Sequence, residues 1–249
     1  MTEGEPPMCW SMEATVGMVA LGTVATAVTI RQEQPAAIPA SIAWFTLMEA
    51  LQVAGHATAD DCALPANQVA TVLSYLHIAF QPFFINAFAM ALIRGTVRPA
   101  ARIGVWAICG LSATSMLLQL YPFDWTGRCP QGFGLCGAPL CTVSGSWHIG
   151  WQVPFNDLLG PLSALPWSFG GHLDYFAAAF LVPLAYGAWR FVLWHALSGP
   201  VLATLLTHDP REMPAVWCLF SIGIVLIALS PWVRERVSSP GWRPLAVPS

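Results

Sequence analysis

The sequence predicts an all-α membrane protein: a bundle of seven transmembrane helices, N-terminus outside and C-terminus inside. Three observations carry this. Apolar residues fill 56% of 249 positions and charged residues only 9%, against ~25% charge in soluble domains. Several uninterrupted apolar runs come close to the ~20 residues needed to cross ~30 Å of hydrocarbon. Counted as seven crossings, these runs also gather most arginines on one side, as the positive-inside rule requires.

The first run, Met8–Ile30, follows an acidic start with no positive n-region, so it reads as a retained helix and not as a cleaved signal. Arg31 ends it, and Pro35 and Pro39 turn the chain into the second run, Ile38–Ala59. The third run is Val69–Ile93, followed by Arg94, Arg98 and Arg102, and the fourth is Ile103–Tyr121. A loop rich in Gly, Pro and Cys spans 122–146. Trp147–Phe169 comes next. It places His148, Gln152 and Asn156 at i, i+4 and i+8, one face of a helix. Its Pro154, Pro161, Pro166 and Asp157 argue against a lipid-exposed span, whereas the parity of the arginines asks for a crossing; a kinked fifth span enclosed by the others reconciles the two. Asp174–Leu197 is the sixth run and Met213–Val233 the seventh. Residues 1–233 form a single domain. The cytoplasmic tail, 234–249, is a loose polar strap.

Seven spans place Arg31, Arg94, Arg98, Arg102, Arg234, Arg236 and Arg243 inside, and Arg128 and Arg211 outside, with Arg190 within a helix. Six spans would separate the C-terminal arginines from the Arg94–Arg102 cluster. The same orientation puts Cys62, Cys129, Cys136 and Cys141 outside, which predicts two disulfides in one of three pairings and an oxidising outer compartment. Cys9 and Cys218 also lie near that surface. The membrane implied is a bacterial inner membrane or an equivalent.

A net charge of −3 gives no support for nucleic-acid binding. All ten basic residues are Arg, which excludes Schiff-base chemistry on a lysine. Polar residues within apolar runs are costly and mark a bundle interior or cavity. Glu49, Gln52 and His56 form one stripe, and Ser74, His77 and Gln81 another. At ~1.5 Å per residue, His77, His148 and His195 share a layer in the outer half. His172 and Asp174 fall on the inner side. The three histidines are candidate ligands for Zn, Cu, Fe or haem, with Gln52, Gln81 and Gln152 as the surrounding hydrogen-bond shell. Glu49 is the candidate general base. Arg190 cannot lose its proton and needs a partner; Glu13 and Glu49 are the carboxylates at suitable depth.

The strings MEALQ, SYLHIAFQPFFINA, SWHIGWQVPFN, YGAWRF, HALSGP and MPAVWCLFSIG resemble those of an uncharacterised family of multi-pass membrane proteins, from Cys9 to about Pro231. That resemblance implies a seven-span fold and no activity. A thinner one is to seven-helix zinc hydrolases of the alkaline ceramidase and adiponectin-receptor type. The H-x-x-x-H of their last helix has no counterpart in the seventh run. Three function classes follow: an outward-facing metal or haem enzyme, an accessory subunit of a larger membrane complex, and a transporter. The lipid bilayer is the expected partner in each, joined by other membrane subunits in the second.

Overall fold

The computed structural model describes residues 9–132, 134–160, 172–218, 220–242 and 245–247. Four long helices come first: α1 (Met12–Arg31), α2 (Ala37–Thr58), α3 (Pro65–Ala91) and α4 (Pro99–Leu118). Their starts are written locally. Ser11 caps α1 by accepting from Ala14 N, while Pro65 and Pro99 open α3 and α4, where a missing N–H costs nothing. All four are long and apolar enough to cross a membrane. Gly22 of α1 lies directly on Thr46 of α2, where any Cβ would collide; this close approach sets the α1–α2 packing.

Three shorter apolar segments follow a long excursion. α5 is Leu173–Ala185. α6 covers residues 189–206 and is α-helical over Trp189–Ala196 and Leu202–Leu206, with a π-helical turn at Leu197–Val201 between them. α7 is Met213–Leu229, bent by 107° from the short α8 (Pro231–Val237); counted as one span, this pair makes a fifth candidate crossing. α5 and α6 are the arms of a hairpin. Its turn is Tyr186–Gly187, with Gly187 at φ +97° and Ala188 N donating to Pro183 O. Phe180 of α5 faces His195 of α6 at 4.4 Å between ring centroids. Asn86 of α3 holds the hairpin in place. Its Nδ2 donates to Ala178 O, and its Oδ1 accepts from the Tyr186 hydroxyl.

The structure corrects the fifth predicted span. Residues 147–157 are not helical: Trp147 and His148 lie in a bend, and a short strand follows. β2 (Cys141–Val143) pairs antiparallel with β3 (Gly150–Gln152), in the register Cys141↔Gln152 and Thr142↔Trp151. Ile149, Trp151, Val153 and Phe155 are all buried at every second position, the period of a strand. The rest of that predicted span, 161–169, lies outside the described residues.

The excursion between α4 and α5 forms a cap. Disulfides Cys62–Cys141 and Cys129–Cys136 close it. Asn67 at the start of α3 binds both backbone groups of Thr142, Trp10 N donates to Trp147 O, and Asn156 Nδ2 donates to Leu118 O and Tyr121 O at the end of α4. These anchors all lie at one end of the bundle, the cap end. His172 packs against Tyr75 and, edge to face, against Phe155 of the cap. The α5 N-terminus is therefore at the cap end, not at the opposite end expected for His172 and Asp174.

The other end carries the arginines. Arg234 Nη2 donates to Gln34 Oε1, Arg94 Nη2 to Glu235 O, and Arg190 Nη1 to Ser238 O. Arg190 also lies over the Trp189 ring. It pairs with neither Glu13 nor Glu49, because the Gly187 turn places it at the opening of α6 beside the tail. The tail is bonded to the bundle: β4 (Ala246–Val247) pairs with β1 (Thr96–Val97).

Candidate functional site

The histidine layer expected from the sequence does not assemble. His77 lies within α3, stacked on Trp44 at 4.4 Å, and its Nε2 donates to Trp44 O at 2.7 Å. His148 belongs to the cap, stacked near Trp10 with the His56 ring at 5.2 Å. Ile149 N donates to His148 Nδ1, so the neutral ring carries its proton on Nε2. Burial pushes this ring far below the ordinary imidazole pKa, to about 3, and the neighbouring His56 adds to the shift. His195 lies on α6 between Phe180 and Trp217, and its Nε2 accepts from Trp217 Nε1 at 3.2 Å. Among the described residues no group of three or more His, Cys, Asp or Glu is placed to hold a metal ion. The physical reason is the cap: the bend that carries His148 and the strand after it lie outside the helices.

The predicted surrounding residues also separate. Gln152 sits in β3, its aliphatic part against Gly137. Glu49 and Gln52 are buried in α2, with Ser221 Oγ donating to Glu49 Oε1 at 3.0 Å. Beside Glu49, Thr46 and Ser221 is a void of about 10 Å³, room for about one water. Gln81 alone reaches a large cavity.

That cavity is a sizeable concave feature among the described residues. It measures about 600 Å³, within the ~300–1,000 Å³ of small-molecule sites, and lies between α3, α4, α5, α6, α7 and the cap loop. Its shape follows from sequence. Ala177, Ala196 and Ala203 withhold side-chain volume on the two hairpin arms. The π-helical turns Ala177–Leu181 and Leu197–Val201 both border it, as such turns often do at functional sites. Phe176 and Phe180, one turn apart on α5, stand against Trp217 at 5.4 and 5.7 Å. Gly199 admits the Trp217 indole, since a Cβ there would meet its ring nitrogen. Tyr175 meets the same indole edge to face and donates its hydroxyl to Gln81 Oε1 at 2.6 Å. At the cap, the Cys129–Cys136 loop supplies Gly134 and Leu135 to the wall. Of the described lining residues Leu181, Val201 and Thr204 are exposed, the first two at 61% and 43%, and the Thr204 hydroxyl is turned to Val201 O, so the mouth is largely apolar.

Phe176, Phe180, Tyr175 and Trp217 are absent from the residues the sequence singles out. Their signal was an aromatic pair around three alanines, FAAAF, which reads equally as lipid-facing helix. Glu212 was also missed. This buried carboxylate accepts from the backbone N–H groups of Ser146, Trp147 and His148 and from the Ser146 hydroxyl. It ties the cap to the start of α7. Beside it, burial raises the Asp209 carboxyl, and the hydrogen bonds and charge of Arg211 outweigh that and leave it below its ordinary value.

Apolar helices of spanning length, buried polar side chains in hydrogen bonds and a disulfide-closed cap are consistent with a helical polytopic membrane protein. The chain belongs to the Family of unknown function (DUF5765), whose model matches residues 13–238. No curated protein and no solved structure matches it. The likeness to zinc hydrolases is not supported by a metal-binding group among the described residues.

Proposed function

We propose that this chain is a seven-crossing membrane protein that binds a lipid-like molecule, taken from the bilayer, in its outward-facing cavity. The observation that carries the reading is a cavity of about 600 Å³ whose mouth residues, Leu181 and Val201, are apolar and exposed. A water-facing mouth would favour polar residues, whereas a mouth at hydrocarbon depth would not. The crossings differ from those read in the sequence. α1–α4 supply four, α5 and α6 the fifth and sixth, and α7 the seventh. The cap lies outside, in an oxidising compartment that its two disulfides fit. The arginine end, which now includes Arg190, lies inside. α5 is short for a span, at ~20 Å for thirteen residues, and packs behind α3 and α4.

The binding reading is tested with the full chain purified in lipid nanodiscs and opened in a native mass spectrometer. A retained lipid-like adduct is expected. Ala196→Phe, which fills the cavity, should lose the adduct, and Leu205→Phe, on an exposed position outside it, should keep it. Equal adducts in all three proteins would remove the cavity from the function.

A further inference from the structure

Resting on that cavity reading, we propose that the occupant is an uncharged molecule with a flat, carbonyl-bearing head and an apolar tail, the chemical class of the membrane quinones. No Asp, Glu, Lys or Arg is among the described residues lining the cavity, and burial lowers the pKa of His172, the histidine among them, and so favours its neutral form; a charged head held there would lack a countercharge in a medium that solvates ions poorly. The head is therefore neutral. Gln81 fixes its polarity. This side chain is 6% exposed, and its Oε1 is engaged by the Tyr175 hydroxyl. Its Nε2 makes no hydrogen bond among the described residues, and Gln81 lines the cavity. A buried amide N–H facing a cavity calls for an acceptor, which a carbonyl oxygen provides and a hydrocarbon does not.

The walls fix the shape. Phe176, Phe180 and Tyr175 gather around Trp217, with centroids 5.4 to 5.7 Å from its ring, and Tyr175 joins this group to the amide. Flat aromatic faces favour a flat conjugated ring by offset or edge-to-face contact. Between Leu181 and Val201 the mouth lets a tail pass into lipid. A diacylglycerol shares the neutral head and the carbonyl but lacks the flat ring, so the two are separable.

The test uses the intact protein in neutral detergent and three probes: a two-isoprenoid ubiquinone, dioctanoylglycerol and the hydrocarbon farnesane. Equilibrium dialysis gives each affinity. The quinone should bind at least about tenfold tighter than either of the others. Gln81→Leu should weaken the quinone by about 3- to 10-fold, the loss of one hydrogen bond, and leave farnesane unchanged. Should Gln81→Leu fail to fold, Gln81→Asn withdraws the amide by one methylene and carries the same expectation. Quinone quenching of tryptophan emission should fall in Trp217→Phe. Equal affinity for quinone and farnesane, with Gln81→Leu silent, overturns the head assignment and leaves the cavity reading standing. Tighter binding of dioctanoylglycerol overturns it in favour of an acylglycerol. Failure of all three probes to bind, with Ala196→Phe also without effect on lipid adducts, overturns the cavity reading itself.

Discussion

Glu212 holds three consecutive backbone N–H groups of the cap and is 1% exposed. Removing it strips the acceptor from all three, of which the His148 N–H is buried, and a buried donor left without an acceptor costs ~1–3 kcal/mol. Glu212→Ala should destabilise the protein by roughly 1–3 kcal/mol, read as a fall in thermal midpoint in detergent. An unchanged midpoint would show that the cap is held without it. His148 gives the cap a pH dependence. Its folded pKa of about 3 lies below the ordinary 6.5, so between these values the unfolded chain binds a proton that the folded chain does not. Stability therefore falls as pH drops from 6.5 toward 3, by up to about 1.4 kcal/mol per unit. Thermal midpoints taken from pH 7 to pH 4 should decline, and His148→Gln should flatten the decline. An equal decline in the variant would move the effect to another group. The sequence marked His148 as a buried polar residue, and it is one. Its partners were not legible, because they come from Trp10 and His56, distant along the chain.

At the scale of elements, two features carry the architecture. The first is the Gly187 turn. A side chain there is strained at φ +97° and would strike Trp242 of the tail. Gly187→Ala should cost roughly 1–3 kcal/mol and loosen the hairpin that forms two cavity walls, which limited proteolysis near residue 187 would register. Resistance equal to that of the parent protein would show that the turn tolerates a Cβ. The second is the cap. Mass spectrometry without reduction should recover Cys62 linked to Cys141 and Cys129 linked to Cys136. Free alkylation of all four in the native protein would overturn it. The sequence favoured these four cysteines, with Cys9 and Cys218 as competitors, and left three pairings of the four open. Only the bonds from Asn67 and Asp60 to Thr142, which bring Cys141 to the α2–α3 turn, select one. The polar spacing His148, Gln152 and Asn156 misled because steps of four are also even. They satisfy a strand as well as a helix, and the alternation of Ile149, Trp151, Val153 and Phe155 was the discriminating signal.

For the whole molecule, the prediction is one of sidedness. A reporter fused after Ser249 should be cytoplasmic, and a cysteine-directed, membrane-impermeant reagent applied from outside should reach Cys9, which is exposed. Both termini on one side would remove a crossing and with it the outward cavity. The parity of this arrangement rests on different helices from those the sequence supplied. Trp147–Phe169 leaves the count over its described part, and the run Asp174–Leu197 divides at Gly187 into two arms. In the proposed arrangement the number of crossings stays odd, and the arginines are sorted as the sequence sorts them.

The sequence by itself determined that this protein lives in a membrane, which runs form its long helices, where the arginines gather and which cysteines share a compartment. These follow from composition and from the cost of placing charge in hydrocarbon, which act residue by residue along the chain. The tertiary structure alone decided what the polar residues do. Gln81 became a cavity donor because Tyr175, 94 positions away, takes its oxygen. His77 and His195 were given to Trp44 and Trp217 instead of to one another. Hydropathy records how deeply a side chain is buried and not which neighbour it meets. That choice was made by a cap, a turn at Gly187 and two π-helical turns, whose effect exists only once distant segments have packed.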